Sequence, residues 1–407
     1  MKRILSKGFF QLAAIVVFCL TFLSCSGKKE LSSVMLLDKG WMIQSSQKTA
    51  LKGDELSLTS DKKTGWYSAE VPSTVFGCLA KYGVYKDVFF GKNLEKVNPT
   101  DFQCSWWYRK SFSAPDNEST AYYLDFDGII YRANIWLNGR EIASADTLKG
   151  TFRQFSINVS DIIRKNGENI LAVEVFPPRA GDLTVGFVDW NPEAPDRGLG
   201  IWREVRLRSS GDVSLRYPFV ISKLDTASLN TASLTVSCEA INNGSRKISG
   251  YMNMNIDGGI ALKQKVQLKP GEKKLITFNP SDYPELNIEN PRIWWTHDLG
   301  KPELYDLKIG FALANKVSDN VAAKFGIRDI STYTFNKYGR EHKGFKLNGR
   351  KIQVKGGGWV DQLFLMPDSI KLERQIEYVK HMNLNAIRPE GFWGNNHDLY
   401  DICDREG

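Results

Sequence analysis

Lys351-Ile352-Gln353-Val354-Lys355-Gly356-Gly357-Gly358-Trp359 opens the stretch whose reading decides the fold. The run from Lys351 to Lys355 predicts a strand, and the glycines predict a turn after it. A helix is predicted from Asp368 to Met382, followed by a second strand from Asn385 to Arg388 that ends at Pro389-Glu390-Gly391. A second helix is predicted over about Asn396 to Arg405. Strand–helix alternation at this spacing signals a parallel sheet. Two architectures begin this way, a doubly wound dinucleotide fold and a (β/α)8 barrel. The first wants GxGxxG at the strand–helix turn, so that backbone can approach a pyrophosphate. Here Trp359 stands where the phosphate would rest, and about ten residues separate the glycines from the helix, so no helix N-terminus faces them. The barrel is the better reading, and residues 334–407 hold its first two β/α repeats.

Working back towards the N-terminus, the chain reads as all-β. In residues 31–214, alternating runs such as Ala121 to Phe126 and Ala133 to Leu137 are punctuated by Asp127-Gly128, Asn138-Gly139 and Asn166-Gly167, the pattern of a two-sheet sandwich or jelly roll. Residues 215–333 predict strands at Ala232 to Ile241, Lys247 to Ile256, Lys263 to Leu268, Lys274 to Phe278, Leu304 to Ala314 and Ala322 to Ile327. Short strands at this density suit an immunoglobulin-like sandwich, although no Cys…Trp…Cys pattern marks a true immunoglobulin domain. The fold class is therefore multidomain and mostly β, with the opening of an incomplete barrel at its end.

The first residues fix a compartment. Lys2, Arg3 and Lys7 precede an apolar stretch from Phe9 to Leu23, too short and wrongly flanked for a membrane span. Phe22-Leu23-Ser24-Cys25 resembles a bacterial lipobox. The implied organisation is a signal peptide over 1–24, a lipid-bearing Cys25 and a solvated tether over 25–30, in the bacterial cell envelope; Ser26 in place of Asp favours the outer membrane. An ordinary secretory signal with a chance Cys is the alternative. The net charge of +8 falls to about +5 once the signal leaves, and no run of five bases occurs, which argues against nucleic-acid binding. The Cys and His residues are scattered without CxxC spacing, so neither a metal site nor any other cofactor is expected. Cys78 and Cys104 fall in one domain and can either pair or remain buried free thiols.

Particular motifs carry a resemblance. In the first domain they are Val71-Pro72-Ser73-Thr74-Val75, Trp106-Trp107-Tyr108-Arg109-Lys110-Ser111-Phe112, Ile135-Trp136-Leu137-Asn138-Gly139, Val188-Asp189-Trp190-Asn191-Pro192 and Gly198-Leu199-Gly200-Ile201-Trp202-Arg203. In the second they are Pro291-Arg292-Ile293-Trp294-Trp295, Leu304-Tyr305 and Phe325-Gly326-Ile327-Arg328. In the third they are Phe345-Lys346-Leu347-Asn348-Gly349-Arg350, Lys355-Gly356-Gly357-Gly358-Trp359 and Asn383-Leu384-Asn385-Ala386-Ile387-Arg388. In this order and spacing the chain resembles glycoside hydrolase family 2, and within it the exo-β-D-glucosaminidase and β-mannosidase-like members. The resemblance implies a jelly-roll sugar-binding domain, an immunoglobulin-like sandwich and a (β/α)8 barrel.

The chemistry so implied is retaining hydrolysis of terminal β-linked sugars by two carboxylates about 5–5.5 Å apart. In relatives these come from the fourth and seventh barrel strands. A barrel takes about 250 residues, so neither catalytic carboxylate is expected in this chain and no residue is assigned as catalytic. The resemblance leaves part of a substrate pocket. Asp189 matches the first-domain Asp that binds the sugar's 4- and 6-hydroxyls, and Trp190 either walls the pocket or packs in the sandwich. Arg388 either matches a residue that pairs with the nucleophile in relatives or is a structural arginine of the barrel. Glu390, where glucosaminidase-like members carry Glu, can hold a glucosaminide ammonium, accept from a hydroxyl, or brace a loop. Trp359 and Trp393 either stack on a sugar or fill loop core. His297, His342, His381 and His397 share no face or spacing. Three function classes remain open: a family 2 glycosidase whose catalytic half lies beyond residue 407, a carbohydrate-binding lipoprotein, and an inactive truncated product.

Overall fold

The structure is a computed structural model that describes residues 29–59, 64–115, 117–185, 192–314, 316–360, 362–366, 368–390 and 397–407. The first sandwich packs a four-stranded sheet on a six-stranded one. The smaller sheet runs in the order Phe155–Asn158, Ala121–Phe126, Val205–Ser210, Ser33–Leu36. The larger runs Tyr67–Ala69, Trp41–Ser45, Trp106–Ser113, Glu168–Phe176, Arg132–Leu137, Arg140–Ala143. Period-2 alternation decides which side chains go in. In Arg132–Leu137, Ala133, Ile135 and Leu137 are buried while their neighbours are not. They meet Trp41, Tyr108, Leu124, Phe126 and Val173 in one continuous core. The predicted turn at Asn138-Gly139 has positive φ at both residues, 53° and 86°, as a type I′ hairpin turn requires.

The second sandwich follows the same logic. Thr231–Asn242 alternates along its whole length, and Leu234, Val236, Cys238 and Ala240 face Met252, Met254, Leu307, Ile309 and Phe311. One sheet is built around Val213–Leu224, Thr231–Asn242 and Lys273–Phe278; the other orders Ile260–Leu268, Ile248–Ile256, Tyr305–Leu313 and Lys316–Phe325. The predicted strand at Ala322 to Ile327 is thus longer and begins earlier, and Val213–Leu224, which runs across residues 214 and 215, was not foreseen. Lys29 and Glu30, read above as tether, pair in parallel with Lys316 and Val317 at the edge of this second sandwich.

Residues 330–352 then form an antiparallel meander of Ile330–Lys337, Arg340–Leu347 and Arg350–Ile352. This corrects the strand placed at Lys351 to Lys355. The parallel strand is the glycine run itself, Gly356–Trp359, paired with Ala386–Pro389. At Gly356 the absence of a side chain has a steric cause. A Cβ added at Gly356 would lie 2.1 Å from the Ala386 carbonyl oxygen, so only a residue without one allows this approach. The helices fall where expected. Ser369–His381 is capped by the Asp368 side chain, which accepts from the Lys371 amide at 2.9 Å, and His397–Glu406 follows the second strand.

Cys78, Cys104, Cys238 and Cys403 are free thiols. Burial pushes the Cys78 thiol up to about 11, and its Sγ donates to the Glu70 carbonyl at 3.4 Å, so it is inert at neutral pH. Among the described residues no helix is long and apolar enough to cross a membrane, and no three His, Cys, Asp or Glu side chains converge as a metal site.

Candidate functional site at the carboxyl ends of the parallel strands

Both parallel strands run towards one rim, where Trp359 and Glu390 follow each other across the pair. The Glu390 amide donates to the Trp359 carbonyl at 2.7 Å. Alternation sends neighbouring side chains to opposite faces. Trp359 and Ile387 pack on the helix side against Ile376, Leu399 and Ile402. Arg388 and Glu390 share the other face, where they form an ion pair. The Arg388 side chain is 77% exposed and that of Glu390 is 22% exposed. The structure thus brings Arg388 and Glu390 together and sets Trp359 apart, against the helices. Trp359 also borders a cavity of about 160 Å³ between the first sandwich and the helices, lined with it by Trp202, Asp127, Leu365 and Lys371. Asp189, Trp190, Trp393 and Cys25 lie outside the described residues.

The rim is held by both sandwiches. From the first side, the loop after Trp359 carries Leu363, Phe364, Leu365 and Met366 into the first sandwich. The Thr74 amide donates to the Phe364 carbonyl at 3.2 Å. The Phe364 ring meets Phe76 edge-on, with centroids 5.1 Å apart, a favoured aromatic geometry. Leu365 joins Ile130, Val185 and Trp202 in a separate buried cluster. Gly77 makes room for this contact, since a Cβ there would sit 2.8 Å from the Phe364 Cβ.

The feet of the segment that carries Asp189 are also fixed. On one side Asp182 pairs with Arg132 at 2.7 Å. On the other, Asp196 is fully buried and accepts from the amides of Phe76 at 2.8 Å and Gly198 at 3.0 Å. Burial pushes the Asp196 carboxyl up to about 6, although these donors oppose the rise.

From the second side, the Trp294 indole donates to the Asp404 carbonyl at 2.7 Å, and His297 Nε2 bonds the Leu384 carbonyl at 2.7 Å. Asp298 receives Lys355 Nζ at 3.0 Å and Asn385 Nδ2 at 3.1 Å, one from the approach to each parallel strand. Burial alone would raise the Asp298 carboxyl, but hydrogen bonds from Thr296, Lys355 and Asn385 outweigh it and hold the group below its usual range. Sequence reading missed Asp298, His297 and Phe364 as positioning residues. For Phe364 a signal existed: four consecutive apolar residues, Leu363 to Met366, in a segment read as loop. Nothing in the sequence marks Asp298.

Two β-sandwiches in series lead into a parallel β/α unit whose rim presents a carboxylate–guanidinium pair. Comparison makes the assignment. The description "Glycosyl hydrolase 2 galactose-binding domain-like" matches residues 41–183, and "Glycosyl hydrolases family 2" matches residues 213–328. The chain is 36% identical over 369 residues to an exo-β-D-glucosaminidase of Streptomyces avermitilis, covering 90% of this chain and 40% of that protein. It is 30% identical to a mannosylglycoprotein endo-β-mannosidase of Lilium longiflorum, over 91% of this chain and 42% of that one. The crystal structure of the Amycolatopsis orientalis exo-chitosanase CsxA superimposes with a TM-score of 0.84 at 30% identity, over 92% of this chain and 42% of that one. The chain belongs to glycoside hydrolase family 2. It spans about two fifths of the length of these relatives.

Proposed function

We propose that the chain is the sugar-binding and pocket-edge portion of a retaining exo-acting β-glycosidase whose preferred substrate is a terminal β-D-glucosaminide. The observation that carries this reading is Glu390, a carboxylate on the open face at the carboxyl end of a parallel strand, where pocket residues of barrel enzymes sit. A carboxylate there can hold a sugar ammonium through charge-assisted hydrogen bonds. Likeness to exo-β-D-glucosaminidases along the chain's length supports it. In this reading the parallel unit opens a (β/α)8 barrel, Arg388 lies beside the nucleophile, and Asp189 with Trp190 reaches the sugar from the first domain. The two catalytic carboxylates belong to residues outside these 407, so the chain alone turns over no nitrophenyl β-glycoside. Retaining hydrolysis by the 407-residue chain would refute the placement of the dyad. In an enzyme that carries the whole barrel, Glu390→Gln raises KM for a glucosaminide about tenfold or more relative to a glucoside; an equal loss for both sugars would sink the ammonium role.

The lipobox-like Phe22-Leu23-Ser24-Cys25 supports a second element of the proposal: acylation of Cys25 anchors the protein in the bacterial cell envelope, with the outer membrane favoured by Ser26. Metabolic labelling with palmitate should mark the wild-type protein and miss Cys25→Ala; equal labelling, or none in either, removes the anchor.

A further inference from the structure

The Glu390 carboxylate occupies space that any other residue at position 358 would fill. A Cβ built on Gly358 would lie 2.3 Å from Glu390 Oε1 and 2.8 Å from its carboxyl carbon. Ordinary van der Waals contact begins at 3.4 Å. The carboxylate therefore rests directly over the Gly358 Cα. Three other features fix it there: its own amide bonds the Trp359 carbonyl, Arg388 pairs with Oε1 from the same face, and its side chain is only 22% exposed. Gly358 itself takes no positive φ, so backbone conformation does not demand glycine at this position. The demand comes from the carboxylate.

We infer that Gly358 is a specificity-determining positioning residue, the seat that sets Glu390 at the height from which it reads a sugar amine. This rests on the ammonium role proposed above for Glu390. Alanine at 358 can be accommodated by the strand, because the atoms in its way are the far end of a flexible side chain. It would displace the carboxylate by about 1 Å, enough to break a charge-assisted hydrogen bond whose ordinary length is about 2.7–2.9 Å. The loss falls on amine recognition, because the parallel pairing of Gly356–Trp359 with Ala386–Pro389 uses backbone groups that the substitution leaves in place.

The test uses an enzyme that carries the whole barrel and two probes, D-glucosamine and D-glucose, with affinities measured by ligand-observed NMR titration. Wild type should favour glucosamine. Gly358→Ala should lose that preference at least tenfold, with an unchanged circular dichroism spectrum and melting temperature. Glu390→Asp placed in the Gly358→Ala background, one methylene shorter, should recover part of it. A preference retained in Gly358→Ala overturns this inference and leaves the ammonium role standing. No preference in the wild-type enzyme overturns the ammonium role, and this inference with it. Unfolding of Gly358→Ala would also overturn it, because the residue would then serve the strand and not the carboxylate.

Discussion

The first sandwich and the β/α unit at residues 353–407 satisfy their side chains in different ways. The sandwich closes on itself. Trp41, Tyr108, Tyr122, Leu124 and Phe126 are essentially inaccessible and belong to one cluster that runs through both sheets. Among the described residues, the β/α unit has one small cluster of its own, built on the buried Ile376, Leu399 and Ile402, and leaves Val354, Ile370, Tyr378 and Met382 exposed. It is positioned by what the sandwiches lend it: Thr74, Phe76 and Gly77 from the first, Trp294, His297 and Asp298 from the second. Strands of a parallel sheet are normally covered on both faces. The contrast shows where stability resides. The sandwiches supply a rigid frame, and the rim that carries Arg388 and Glu390 takes its geometry from contacts to that frame.

The sharpest way to break this contrast is to remove one large side chain from each region. Phe126→Ala should destabilise the first sandwich by about 3–5 kcal/mol, the usual cost of a phenylalanine-sized cavity in a closed core. Ile402→Ala should cost about 2 kcal/mol, the low end for such a truncation, because so thin a cluster can collapse into the space. It should loosen residues 353–407 without lowering the unfolding midpoint of the sandwiches. Denaturant unfolding followed by hydrogen exchange separates the two. A global loss from Ile402→Ala would mean that the regions unfold as one unit. Next in size is Gly77→Val, which drives a side chain into Phe364 at the point where the loop is clamped. A cost of about 1–3 kcal/mol is expected from such overpacking, together with new proteolytic cleavage between Val360 and Asp368. Protection of that segment in the variant would show that other contacts hold the loop.

How much of this was legible in the sequence follows from the same contrast. Where a segment satisfies itself, its pattern is in the residues. Ala121–Phe126 was placed to the residue, and Thr231–Asn242 within one, because period-2 alternation is what buries one face of a strand. Both helices were placed within a residue or two, since Asp368 is a cap and the apolar spacing is helical. The parallel strand was misplaced because glycine usually signals a turn. Here three glycines and Trp359 form the strand; the approach of Ala386, some 30 residues away, excludes a side chain at Gly356, and the Glu390 carboxylate fills the space at Gly358. Arg388 and Glu390 were singled out from resemblance, and their i, i+2 spacing puts them on one face. The seat of Glu390 on Gly358 depends on register between two strands, which no local pattern encodes. The clamp at Phe364 and the brace at Asp298 are tertiary for the same reason.

The smallest effect expected tests that brace. Asp298→Asn removes the charge that holds Lys355 and Asn385 at the base of the parallel pair. Partly exposed ion pairs are worth little, so the cost at pH 7 should be about 0.5–1 kcal/mol, concentrated in residues 353–407. The pH dependence follows from the depressed carboxyl of Asp298. A carboxylate that binds its proton less readily when folded contributes stability above its unfolded pKa, about 3.9. That contribution is lost as pH falls through the lower, folded value. Wild type and Asp298→Asn should therefore differ at neutral pH and converge in strong acid, below the usual carboxylate range. Amide exchange at Ala386 and Ile387, compared between the two proteins, reports the brace directly. A difference that persists undiminished into strong acid would mean that packing around Asp298, and not its charge, ties the β/α unit to the second sandwich.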